Sequence, residues 1–309
     1  MKKSVLQIVI IISEVLLVTQ NTSAHPGSGI VLDRYGNIYF INTHFGVVKI
    51  SPDRKLTYIN KATDGHWLCL DENGIFSQSQ PKYFERITLG KQRQVLIYAG
   101  GGSPIVVNRD GNFYYCGTDN NDKHPGAKTL VRETPGHLQT IFASGLKNTL
   151  DSLGDGITGL AAGPDTSLYL ACWNSLLKVS AKGKVSVLLH PVVIKDCDED
   201  PADHKEVNRG IPLLRGVDID SSGVIYVAAT SCHCVLKITP QGEIKTILKA
   251  ERPWSPTGVT VGNGNIYVLE YTNANGPSSE GWSPRVRKIS KDGTVTVIAD
   301  LSSPKSPQP

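Results

Sequence analysis

Acid–base chemistry in this sequence would fall to His66 and Glu270, and ligand contact to Trp67, Trp173, Asn174, Arg215, Trp254, Tyr271 and Trp282. Glu270 stands in YVLEYTN, where the pattern would otherwise stay apolar. A carboxyl partly buried beside Tyr271 would have a raised pKa and could serve as acid or base. Bonding to loop backbone amides is the alternative. Arg215 with His66 would favour an anionic group, a carboxylate or phosphate, through charge-assisted hydrogen bonds. The alternative for Arg215 is an acid in the nearby insertion, Asp203 or Glu206. Indole rings make walls that suit sugars and other organic ligands, with polar groups fixing orientation.

Side chains so far apart in sequence need a frame, and one pattern supplies it. The pieces DRYGNIYF, DENGIFSQ, NRDGNFYY, GPDTSLYL, DSSGVIYV and GNGNIYVL each join a Gly- or Asp-rich turn to an aromatic-centred strand. Their aromatics are Tyr39, Phe76, Tyr114, Tyr169, Tyr226 and Tyr267. The intervals are roughly those of a four-stranded blade. So small a unit cannot bury both its faces alone, and stacking around an axis solves this. The expectation is an all-β fold, a six-bladed β-propeller of four-stranded antiparallel blades. The blades run over residues 28–62, 64–99, 103–144, 157–190, 214–250 and 256–300. LRGVDID, GVIYVAA, CVLKIT and EIKTIL show the four strands of the fifth. All four strands of the last blade come from the C-terminal segment, so no strand-swapped closure is visible.

Up-and-down strand order sends first-to-second and third-to-fourth turns to one face. Second-to-third loops and the crossings between blades go to the other. Every long insertion (residues 117–128, 144–156, 190–213 and 271–284) falls on that second face, where a rigid scaffold would present functional loops. All 4 tryptophans map there, as does every histidine except His137. Long loops also hold more of every residue type, which is the plainer account. Aligning the inner strands puts Ser28, His66, Ser103, Thr158, Arg215 and Thr257 in a ring at the channel mouth, without a carboxylate. Asp64, Asp119, Asp155 and Asn174 could reach a cation, but solvated loop acids are commonplace. Asp218, inside VDID, reads as a buried carboxylate with a structural partner.

Residues 1–24 form an export signal peptide: Lys2 and Lys3, an apolar run from Val5 to Val18, and the small-residue site Thr22-Ser23-Ala24. The single propeller domain then occupies 25–302, and 303–309 is a disordered tail. The protein should be secreted or periplasmic, with no membrane attachment after cleavage. A net charge of +4 is too mild for a nucleic-acid partner. The 6 cysteines permit disulfides in such a compartment, with connectivity open. Cys232 and Cys234 share a strand face but are poorly placed to bridge each other. No spacing matches a zinc motif, and no site residue is assigned to a metal.

With the repeats laid out, the chain resembles the NHL-repeat and senescence-marker-protein/gluconolactonase-like propellers. LRGVDIDSSGVIYVAATSCHCVLKITPQGEI and PTGVTVGNGNIYVLEY carry the likeness, which extends over nearly all of residues 25–302. The resemblance implies a divalent cation over the channel, held by Glu, Asn and Asp at inner-strand starts and polarising a lactone or phosphoester. The matching positions here include Ser28, Thr158, Arg215 and Thr257, a set that disfavours the cation. Two functions follow. One is a hydrolase or lyase on a small, anionic, lactone- or sugar-acid-like molecule. The other is a non-catalytic module binding a sugar, a peptide or a protein partner.

Overall fold

The computed structural model describes residues 26–43, 45–60, 65–76, 84–89, 95–100, 103–117, 127–195, 197, 211–272 and 282–302. Residues 1–24, expected to be an export signal, and the 303–309 tail lie outside these, as do Asp64, Asp119, Asp203 and Glu206.

The first repeat folds as β1 (Ile30–Leu32), β2 (Ile38–Asn42), β3 (Gly46–Ile50) and β4 (Leu56–Asn60), paired in that order. The second supplies β5 (Gly65–Asp71), β6 (Glu85–Thr88) and β7 (Val95–Gly100). The third gives β8 (Ile105–Val107), β9 (Phe113–Gly117), β10 (Thr129–Glu133) and β11 (Gln139–Phe142), and helix α1 (Leu146–Leu153) follows. The fourth comprises β12 (Ile157–Ala162), β13 (Leu168–Cys172), β14 (Leu176–Val179) and β15 (Val185–Leu189). The fifth comprises β16 (Leu214–Ile219), β17 (Ile225–Ala229), β18 (Cys234–Ile238) and β19 (Ile244–Lys249). The last comprises β20 (Trp254–Gly262), β21 (Asn265–Thr272), β22 (Pro284–Ile289) and β23 (Val295–Asp300).

Among the described residues the propeller has five four-stranded antiparallel blades, not the six expected. The second repeat instead makes a three-stranded sheet in the order β5-β7-β6. The reason is visible in what the five blades share. In each, the tyrosine of the second strand stands opposite a basic residue of the third: Tyr39 and Lys49, Tyr114 and Arg132, Tyr169 and Lys178, Tyr226 and Lys237, Tyr267 and Lys288. The phenol also closes its own turn in several blades. Tyr39, Tyr114 and Tyr226 donate to Asp33, Asp110 and Asp220 at 3.0, 2.6 and 3.2 Å. Phe76 has no hydroxyl to do this. It ends a turn, wholly buried, while Asp71 accepts the Ile75 and Phe76 amides at 2.9 and 2.6 Å. The apolar VLIYAG strand, β7, takes the place beside β5 that a second strand would have filled.

The inner strands β1, β5, β8, β12, β16 and β20 still follow one another around the axis, and β20 returns to β1. Glycine lets them approach. A Cβ on Gly159 would lie 2.1 Å from the Arg215 carbonyl oxygen, and one on Gly258 would lie 2.3 Å from that of Ser28. Closure needs no exchanged strand. Thr257 Oγ1 donates to the Gly27 carbonyl at 2.8 Å, and the Tyr271 hydroxyl donates to the Ile41 carbonyl at 2.6 Å.

Candidate functional site

At the loop-bearing end of the channel, the chain's first described residues sit within the ring. The Ser28 and Gly29 amides both donate to the His66 carbonyl at 2.9 Å. The Arg215 guanidinium, 5 % exposed, donates from Nη2 to the Pro26 carbonyl at 2.8 Å. Burial pushes Arg215 down to about 10 and Tyr271 up to about 12, and the charge of each opposes the other's shift. Thr43 completes the network: its amide donates to the Tyr271 oxygen at 3.1 Å, and its Oγ1 accepts the Gly27 amide at 2.8 Å. The His66 carbonyl, the Arg215 guanidinium and the Thr257 hydroxyl therefore meet the backbone of Pro26–Gly29, and Tyr271 joins them through Thr43.

Glu270 lies elsewhere. It is fully buried and is gripped by two guanidinium groups, Arg285 Nε at 2.5 Å and Arg287 Nη2. Strand pairing explains this, since β21 sets Glu270 directly opposite Arg285 and Val268 opposite Arg287. Arg285 also stacks over the Trp254 ring at 4.1 Å. Trp67 and Trp282 are buried within apolar clusters, whereas Trp173 and Trp254 keep partial exposure. The indoles thus divide between packing and surface.

Asn174 belongs to a group that motif reading missed. Asp155 is 3 % exposed rather than solvated, and accepts from the Gly156 amide at 2.8 Å and the Asn174 amide at 3.2 Å. Ser175 Oγ lies 2.5 Å from Asp155 Oδ2 and 2.8 Å from His190 Nδ1. No fixed spacing announces this trio. A clue was available: Asp155 precedes a first strand, Ser175 precedes a third, and His190 follows a fourth, which up-and-down order sends to one pole.

The insertion bearing Cys197 is tied to the fifth blade by the Cys197–Cys232 disulfide, while Cys69, Cys116, Cys172 and Cys234 are buried outside any disulfide. Among the described residues, no group of three or more His, Cys, Asp or Glu side chains is arranged to hold a metal.

Inside the channel is a cavity of about 170 Å³ lined by Ser28, Leu68, Ile105, Leu160, Asp218 and Thr260 among others. Asp218 bridges two inner strands, accepting the Val261 amide at 2.8 Å and Thr260 Oγ1 at 3.0 Å. Burial outweighs these donors and pushes its pKa up to about 6. A carboxyl raised on folding favours the protonated native state. Its stabilisation is complete below the ordinary carboxylate range and is lost as pH rises through about 6. A carboxyl-carbon NMR titration should place the Asp218 midpoint near 6. Comparison with Asp218→Ala should show wild-type stability falling more steeply over that interval. A midpoint near that of an exposed aspartate would contradict the assignment.

No family model matches the chain, and no curated protein matches it either. Solved structures do. A luciferin-regenerating enzyme is 14 % identical, with 91 % of this chain and 96 % of that one covered, at a TM-score of 0.54. A gluconolactonase from Xanthomonas campestris is 14 % identical over 80 % of this chain and 83 % of that one, at 0.51. An auxiliary nutrient binding protein from Bacteroides thetaiotaomicron is 11 % identical over 89 % and 70 %, at 0.53. At such identities the likeness establishes the β-propeller fold alone.

Proposed function

We propose that this chain is an exported hydrolase or lyase acting on a small anionic molecule of the lactone or sugar-acid kind at the loop-bearing end of its channel. The observation that carries the reading is the Arg215–Tyr271–Thr257 network, which holds a buried guanidinium where the inner strands open. A carboxylate or phosphate would meet that guanidinium by taking over or sharing the Pro26 contact. Enzymes with the same fold, the gluconolactonase and the luciferin-regenerating enzyme, make turnover of a small organic substrate a reasonable use of this end. The Cys197–Cys232 bond suits an oxidising compartment, secreted or periplasmic.

A second reading is a non-catalytic module for a sugar, peptide or protein partner. One observation favours it: Glu270, a candidate acid or base, is engaged by Arg285 and Arg287. The nutrient binding protein shows that the fold also serves binding proteins.

A thermal-shift screen with lactones, sugar acids and phosphoesters separates these readings from each other. A ligand at a hundred times its Kd stabilises by about 2.7 kcal/mol, a rise of several degrees. The enzyme reading expects such a rise with a sugar acid, its abolition in Arg215→Ala measured against that variant's own baseline, and hydrolysis of glucono-1,5-lactone above the spontaneous rate. Binding without turnover supports the module. No shift with any compound overturns the enzyme reading and favours a module for a peptide or protein partner.

A further inference from the structure

The fourth blade carries a second polar assembly on the same loop-bearing end, and with Asp155 as a carboxylate its hydrogen bonds favour one arrangement of protons. Asp155, as a carboxylate, only accepts. Its Oδ2 is 2.5 Å from Ser175 Oγ, so the single serine proton is directed there. Ser175 is then left with lone pairs facing His190 Nδ1 at 2.8 Å, and that nitrogen must donate. In neutral imidazole the proton therefore sits on Nδ1 and the lone pair on Nε2.

The surroundings reinforce this polarity. Ser175 is fully buried and Asp155 nearly so, whereas His190, following the end of β15, is exposed. Among the described residues nothing bonds Nε2. A buried carboxylate and hydroxyl thus fix the ring from behind and leave a basic nitrogen toward solvent. Trp173, partly exposed, adjoins the same turn, and the Asn174 carbonyl accepts the Val192 amide at 3.0 Å, which ties the turn to the segment beyond His190. The assembly is rigidly mounted, as a proton-transfer group requires.

We propose that His190 is a general base that activates water against the carbonyl of an ester or lactone, with Ser175 and Asp155 as its positioning residues. This rests on the hydrolase reading above, and names the group that would perform the step. Water oxygen bonds to the carbonyl carbon while its proton passes to Nε2, and the carbonyl electron pair moves onto oxygen. When that pair returns, the carbon–alkoxide bond breaks and the Nε2 proton passes to the departing oxygen. The products are a carboxylic acid and an alcohol, with no oxidant or reductant involved.

The test uses the full chain with glucono-1,5-lactone as probe, and compares wild type with His190→Asn and Ser175→Ala. Asparagine can present an N–H where Nδ1 stood, so His190→Asn keeps the bond to Ser175 and removes only the base. Nitrogen-15 NMR of wild type should show His190 protonated at Nδ1, and Ser175→Ala should shift the ring toward the other tautomer. Hydrolysis should fall about a hundredfold or more in His190→Asn, the scale of general-base assistance, with an unchanged melting temperature. A wild type that hydrolyses the lactone while His190→Asn keeps its rate overturns this proposal and leaves the hydrolase reading standing. An inactive wild type overturns the hydrolase reading itself, and the proposal with it. An Nδ1 without a proton in wild type also overturns the proposal, whatever the rates.

Discussion

Glu270→Ala should destabilise the protein by about 3–5 kcal/mol, because it strands two guanidinium groups with little access to water. Arg285 and Arg287 have side chains only 14 % and 13 % exposed, and both point at a carboxylate that is 0 % exposed. Removing one partner of a buried ion pair leaves the desolvation of the other unopposed. The effect should reach Trp254, whose ring stacks against Arg285, so its fluorescence should change in the same variant. Replacing the whole trio with apolar residues of similar volume should cost far less than the single change, since no orphaned charge remains. Urea unfolding measures both. A loss below about 1 kcal/mol for Glu270→Ala would mean that the ion trio is open to solvent.

Gly159→Ala and Gly258→Ala should each cost about 3 kcal/mol or more, through overpacking with no flexible neighbour to yield. The added methyl would stand 2.1 Å from the Arg215 carbonyl oxygen in one case and 2.3 Å from the Ser28 carbonyl oxygen in the other. Both clashes are with the backbone of the next inner strand, so relief requires spreading the ring. Gly145→Ala is the matched control, since nothing lies within 4 Å of its Cβ position. Thermal unfolding should show a large fall for the two ring variants and almost none for the control. Equal behaviour of all three would refute the close approach of the inner strands.

The five blades were legible because each carries a second-strand tyrosine opposite a basic residue, and in three of them the phenol also closes its own turn. Tyr39, for instance, needs both Asp33 in its turn and Lys49 on the next strand, and the pattern repeats with those needs. Phe76 matched the pattern in shape and not in chemistry. Without a hydroxyl it could not close a turn as tyrosine does, and β7 took the neighbouring place by long-range pairing that no local window reveals.

The site was less legible for a related reason. Glu270 departs from the apolar pattern, and that departure was readable. Its partners are 15 and 17 residues away across a hairpin, and they turn a candidate acid into one member of an ion trio. Asp155, Ser175 and His190 meet only because three different strands end at one pole, with separations of 20 and 15 residues. Arg215 was found from its position in the aligned ring, yet its contact with Pro26, 189 residues away, depends on ring closure.

The central claim is that ligand chemistry belongs to the loop-bearing end of the propeller. Hydrogen–deuterium exchange with and without saturating gluconate tests it directly. The account predicts slowed exchange around Trp173–Ser175, His190–Val192 and Arg215, with the turns at Asp33–Asn37, Asp220–Val224 and Asn263–Gly264 unchanged. Protection at those tight turns, with the loop-bearing end unaltered, would contradict it.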